Sequence, residues 1–193
     1  MSRVRLAFTP EDYSPSINRD DVEKLFEQLH SWTGDGGVPK TAAGFAVVAR
    51  DPKLARLLAM VSDYMTLECP WTSERTALRE LSIQALNLHF QCDYNFQSHL
   101  GKAEQRFGVT AEMQAAIPYW KVTSVFDDEQ RLVIEYTFAT VKGEVSDELF
   151  ERVVEQFGEM GAIEFTVGIA WWTFWALIVG AVRPEHDFGH GRP

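Results

Sequence analysis

Cysteine is scarce: Cys69 and Cys92 are the two in 193 residues. Two thiols make no disulfide framework, which points to a reducing cytoplasm. Basic residues are outnumbered, 18 Lys and Arg against 28 Asp and Glu, for a formal net charge of -10. That balance excludes a general surface for nucleic acid or anionic lipid, since phosphates would be repelled. Strand signals are thin, with only the short run Val122–Phe126 rich in β-branched and aromatic residues. Repeats and low-complexity tracts are missing as well. The opening Met1-Ser2-Arg3-Val4-Arg5-Leu6 lacks the apolar run of a signal peptide.

What is present is helical periodicity. Residues 1–17 carry few apolar positions and read as an irregular arm. From Arg19 the residues Val22, Leu25, Phe26 and Leu29 recur at helical spacing behind acidic Asp20 and Asp21. The run Gly34-Asp35-Gly36-Gly37 is the expected internal boundary. Asp51-Pro52 starts a helix with the stripe Leu54, Leu57, Leu58 and Val61, ended by Pro70. Further helices are predicted over Ser73–Leu88 and Cys92–Phe107, the second closed by Gly108. Thr110, Asp127 and Ser146 each supply a side chain suited to cap the helix that follows. The class is all-α, divided into an arm and helix (1–40), a main helical domain (41–183) and a tail (184–193).

Phe165–Val182 is 18 residues without a charge, the length of a membrane span. Thr166 and Thr173 lie inside it, Gly168 and Gly180 interrupt it, and no basic cluster flanks it. It reads as a helix buried in a core or subunit interface, with Trp171, Trp172 and Trp175 as packing residues.

One constellation carries chemistry. Glu80 sits among Leu78, Leu81, Ile83 and Leu86, and the segment Cys92-Asp93-Tyr94-Asn95-Phe96-Gln97-Ser98-His99 follows. On a continuous helix Cys92, Asn95 and His99 share a face with apolar Phe96, Leu100 and Ala103. Buried polar groups need partners, and a carboxylate on a neighbouring helix can supply one. Carboxylate plus imidazole is a proton-transfer pair, and a thiol beside it can be activated as a thiolate. A structural histidine and a small core cysteine are the plainer alternative. Tyr94 and Trp120 are candidate pocket residues, and His89 a packing residue. The tail Glu185-His186-Asp187-Phe188-Gly189-His190 matches no metal-ligand spacing.

The stretch from Leu78-Arg79-Glu80-Leu81 through Cys92–His99 to Gly108-Val109-Thr110 resembles the carboxymuconolactone decarboxylase / alkylhydroperoxidase D-like superfamily. Phe126–Glu129 with Tyr136, Val145–Phe150 and Ile163–Thr166 extend the likeness over roughly residues 45 to 183. The resemblance implies an alkylhydroperoxidase D-like helical bundle that assembles as a dimer, trimer or hexamer and accounts for the apolar stretch without a membrane; no cofactor, metal or nucleic-acid partner is expected. It places Glu80, Cys92 and His99 on the proton-relay glutamate, first cysteine and relay histidine. Asn95 departs from the pattern: it stands where peroxidase members have a resolving cysteine and decarboxylase-like members a carboxylate. The expected function is therefore acid–base catalysis on a small carboxylate- or carbonyl-bearing substrate. His99 is its acid/base, Glu80 orients it, and Cys92, Asn95, Tyr94 and Trp120 line the site. A one-cysteine thiol peroxidase and a non-catalytic ligand-binding protein are the competing functions.

Overall fold

The computed structural model describes residues 2–33, 38 and 42–185. The boundary run 34–37 and the histidines of the tail, His186 and His190, lie outside the described residues. All regular elements among those described are helical: α1 Arg19–Thr33, α2 Ala43–Val48, α3 Pro52–Asp63, α4 Pro70–Glu74, α5 Thr76–His89, α6 Asp93–Phe107, α7 Ala111–Ala116, α8 Asp128–Lys142 and α9 Asp147–Val182. The all-α class is thus observed. Two compact units divide the chain, Met1–Tyr64 with Ile178–Pro193, and Met65–Leu177.

In the first unit, α1 buries Val22, Leu25, Phe26 and Leu29, the face its spacing predicts. The arm is less irregular than its composition suggests. Asp12 Oδ2 accepts from the Phe8 and Thr9 N–H groups, and Tyr13 donates to the Ala49 carbonyl. Ala7 N–H donates to the Ala46 carbonyl at 3.0 Å. Arg3 covers the end of α9, its N–H on the Val182 carbonyl and its guanidinium on Ala181, each at 3.0 Å. The Asp51 carboxylate caps α3, accepting from the Lys53 and Leu54 N–H groups. The α3 stripe faces the other way from the core: Pro52, Ala55 and Ala59 are buried, while Leu54, Leu57 and Val61 are exposed.

In the second unit, α5 is the axis. Ten consecutive residues, Leu78 to Asn87, are buried, so the helix has no solvent face. Arg75, at φ -105 and ψ 53, separates it from α4, dividing the helix expected over Ser73–Leu88. One side of α5 packs on α8, where Ser82 and Thr137 hydroxyls are 2.8 Å apart; the other packs on α6.

The caps of α7, α8 and α9 are made locally, Thr110 to Met113 N–H at 3.1 Å, Asp127 to Gln130 N–H at 2.8 Å and Ser146 to Leu149 N–H at 3.2 Å. Helix α9 is two helices in sequence, broken at Gly158 (φ 74, ψ 166). That backbone region is open almost only to glycine. Beyond the break, Phe165 stacks on Trp71 at 4.0 Å between ring centroids, and Glu164 accepts the Trp71 N–H at 2.8 Å, capping α4 from outside. Tyr136 and Thr166 hydroxyls meet at 2.6 Å. By length and composition α9 could cross a membrane, and 28% of its most apolar stretch is buried. The burial expected for Phe165–Val182 is therefore one-sided within this chain.

Substituting Gly158→Ala is expected to cost about 1–3 kcal/mol, read as a lower urea midpoint at unchanged m. Gly180→Ala, with open space around its added Cβ, is expected to be neutral or to stabilise by up to about 1 kcal/mol.

Candidate functional site

Helices α5 and α6 form an antiparallel pair joined by the Phe90–Cys92 turn, and a ladder of contacts fixes their register. Glu80 meets His99, the Gln84 amide donates to the Phe96 carbonyl at 3.3 Å, and the Cys92 N–H donates to the Asn87 carbonyl at 2.8 Å. Glu80, Gln84 and Asn87 lie one turn apart along α5. One face of the buried helix is therefore polar along its whole length.

The centre of this face is Glu80, whose side chain is 3% exposed. A bare carboxylate there would be strongly disfavoured. An imidazole and a guanidinium answer it. His99 Nδ1 lies 2.7 Å from Oε2, and the Arg79 guanidinium lies 3.3 Å from Oε1. Arg79 is held in turn by the Thr72 carbonyl at 3.1 Å and by the Phe107 ring, 5.0 Å from its guanidinium carbon. Burial pushes the Glu80 carboxyl up, but His99 and then Arg79 outweigh it, and the group is held below its ordinary value. Glu80 is thus an anion at neutral pH, and the imidazole donates Nδ1–H to it.

That tautomer leaves the Nε2 lone pair of His99 available. Nε2 has no hydrogen-bond partner among the described residues, and the side chain is 27% exposed. The arrangement can take a proton at Nε2, hold the imidazolium against Glu80, and return the proton.

Cys92 is placed differently from the expected helical stripe. It is the N-cap of α6, at φ -86 and ψ 77, so the seven-residue spacing to His99 does not run along one helix. Its thiol is buried, and its hydrogen bonds do not include Glu80 or His99. Burial raises its pKa above the ordinary value, with Asp93 adding to the rise and the Asn95 N–H working against it. The thiol is protonated at neutral pH.

Asn95, four residues before His99, shares its side of α6 and is half-buried. Tyr94, five residues before, points to another side and is buried. Trp120 lines a different cleft, of about 410 Å³, with Lys121, Glu135, Phe138, Lys142 and Arg152. Neither Glu80, Cys92 nor His99 belongs to that wall. His89 packs edge-on against Phe90 at 4.9 Å between centroids. No group of three or more His, Cys, Asp or Glu suited to a metal occurs among the described residues.

Three buried amides escape the sequence analysis. Gln84 donates to Gln114 Oε1 at 2.7 Å, and Gln114 donates to the Val109 carbonyl at 3.0 Å. Asn87 is 1% exposed, and neither of its side-chain polar atoms has a hydrogen-bond partner among the described residues. For Gln84 and Asn87 the signal was the apolar sequence around them: with Leu78, Leu81, Ile83, Ala85, Leu86 and Leu88 distributed round the helix, every polar residue between them is internal.

Compared with known proteins, the chain matches no family model, no curated protein and no solved structure.

The lowered Glu80 pKa sets a sign. Its contribution to stability is complete above the ordinary glutamate value of 4.5 and is lost as pH falls through the lower folded-state value. Stability of the wild type should thus fall most steeply between pH 4.5 and that lower value. Glu80→Gln should flatten this limb in a urea-midpoint series against pH, and an unchanged limb would remove Glu80 as its source.

Proposed function

We propose that the protein is an enzyme of acid–base chemistry, a lyase or isomerase acting without a cofactor on a small carboxylate- or carbonyl-bearing substrate. The observation that carries this reading is the 2.7 Å contact between His99 Nδ1 and the buried Glu80 carboxylate. In this role Nε2 of His99 removes a proton beside the substrate carbonyl and returns it to the product. Glu80 fixes the tautomer and stabilises the imidazolium. Arg79 positions Glu80 from behind. Asn95 shares the His99 side of α6, and Cys92, at the N-terminus of that helix, is a neutral thiol.

Membership of the carboxymuconolactone decarboxylase / alkylhydroperoxidase D-like superfamily belongs to the same proposal. It rests on the order of Arg79-Glu80, Cys92, His99 and Gly108-Val109-Thr110 along the sequence. A cytoplasmic homo-oligomer that leaves nucleic acid and membranes alone accompanies it. The competing thiol-peroxidase reading is weakened by the protonated, buried Cys92 and by Asn95, which cannot resolve a sulfenate.

The test is proton exchange at carbon, followed by NMR in deuterated water with a panel of small β-keto acids and unsaturated lactones. His99→Ala should lower the rate by about 10²–10⁴-fold, while Cys92→Ser should retain it within a few-fold. Full activity in His99→Ala overturns the proposal. A peroxide-dependent sulfenate on Cys92, lost in Cys92→Ser together with activity, replaces it with the peroxidase.

A further inference from the structure

Before the Gly158 break, α9 has three flanks, and each is answered differently. Leu149 and Val153 are buried in the core. On the flank towards α8, Arg152 donates to Glu135 and Gln156 to Glu129, each at 2.9 Å. On the remaining flank Phe150 and Val154 lie one turn apart, with Glu151 and Glu155 beside them. These four residues, with Glu159 and Ile163, line a groove of about 480 Å³. That is the volume of a small-molecule site, and such sites are mostly apolar with a few placed polar groups.

Here the apolar half is open and the polar half has one sign. Phe150 is 39% exposed and Ile163 53%. All three carboxylates are exposed, and no Lys, Arg or His among the described residues pairs with them. Like charges four residues apart on a helix repel, so Glu151 and Glu155 oppose each other. Glu155 also falls in the last turn before Gly158, the end at which a helix dipole is negative and a carboxylate is disfavoured. Glu159 opens the helix that follows, where its charge is favoured. The uncompensated charge is thus centred on Glu151 and Glu155, at the edge of the apolar floor.

We propose that this groove binds an organic cation with an apolar body, a protonated amine carried on an aliphatic or aromatic frame. The body covers Phe150, Val154 and Ile163, and the nitrogen sits between Glu151 and Glu155.

Each half of the groove selects against another occupant. An anion or a phosphate-bearing molecule meets three carboxylates and is repelled. A neutral apolar ligand takes water from those carboxylates and gives them no partner. A bare inorganic cation leaves the floor uncovered, whereas an ammonium on an apolar frame can also lie over the Phe150 ring. No residue of the groove belongs to the Glu80–His99 site, so this ligand stands or falls apart from the catalytic reading.

The test uses the whole chain and three ligands that share one body: phenylbutylamine, phenylbutanol and phenylbutyrate. Binding is followed by NMR of the Val154 and Ile163 methyl groups. The amine should shift both saturably, and more weakly as salt is added. The alcohol should bind about tenfold more weakly, and the butyrate should leave both methyls unmoved. Glu155→Gln, at an exposed position, should weaken the amine about five-fold and leave the alcohol unchanged, with the circular dichroism unaltered. A lack of saturable shift with the amine up to about 10 mM overturns the proposal. So does an alcohol that binds as tightly as the amine, or methylammonium that moves the methyls as far, which reduces the site to an adventitious counter-ion. Shifts that follow protein concentration without ligand assign the groove to a second copy. A helical Leu-Lys peptide that binds where the amine does not assigns it to a protein partner. Either outcome also overturns the proposal.

Discussion

The Glu80 carboxylate is the constraint on which the second unit turns. It sits on a helix without a solvent face, so its charge cannot be answered by water. Everything near it is arranged to answer it from within the protein: Arg79 beside it, Thr72 and Phe107 behind Arg79, and His99 across the α5–α6 interface. Removing one partner would leave a buried charge short of compensation, which costs far more than a surface ion pair gains. The same contact that satisfies the carboxylate also selects the histidine tautomer. Stability and reactivity therefore share one hydrogen bond.

The polar face of α5 continues this logic away from the charge. The Gln84 amide N–H donates to Gln114, and Gln114 donates to the Leu100 and Val109 carbonyls, tying α7 to the α5–α6 pair. Gln84 Oε1 and both polar side-chain atoms of Asn87 meet no hydrogen-bond partner among the described residues. A buried amide of this kind carries a desolvation cost of about 1–3 kcal/mol. Proteins tolerate such costs chiefly where water or a small molecule completes the bonding. The position of Asn87, two turns from Glu80 on the same face, makes it part of the candidate site's surroundings rather than of the general core.

What was legible in the sequence was local. Thr110, Asp127 and Ser146 announce their helices because a cap is a bond across three residues. The α1 face was legible because its apolar period matches its burial. Glu80 and His99 could be singled out because a carboxylate and an imidazole in apolar helical surroundings need partners. Their contact with each other depends on a register that no local pattern contains. The stripe of α3 shows the limit from the other side: periodicity gives a stripe, but small Ala55 and Ala59 turned inward and Leu54, Leu57 and Val61 outward. Cys92 fails for a related reason. Seven residues bring two side chains together only if the helix includes both, and α6 begins at Asp93.

The α5–α6 hairpin has a consequence for how the site comes into being. Glu80 and His99 are 19 residues apart in sequence, and one tight turn joins their helices. Closing so short a loop costs little entropy and takes little time compared with assembling residues from distant parts of a chain. The dyad can thus form within a single supersecondary unit. Its geometry is a property of two helices and a turn, portable as one piece.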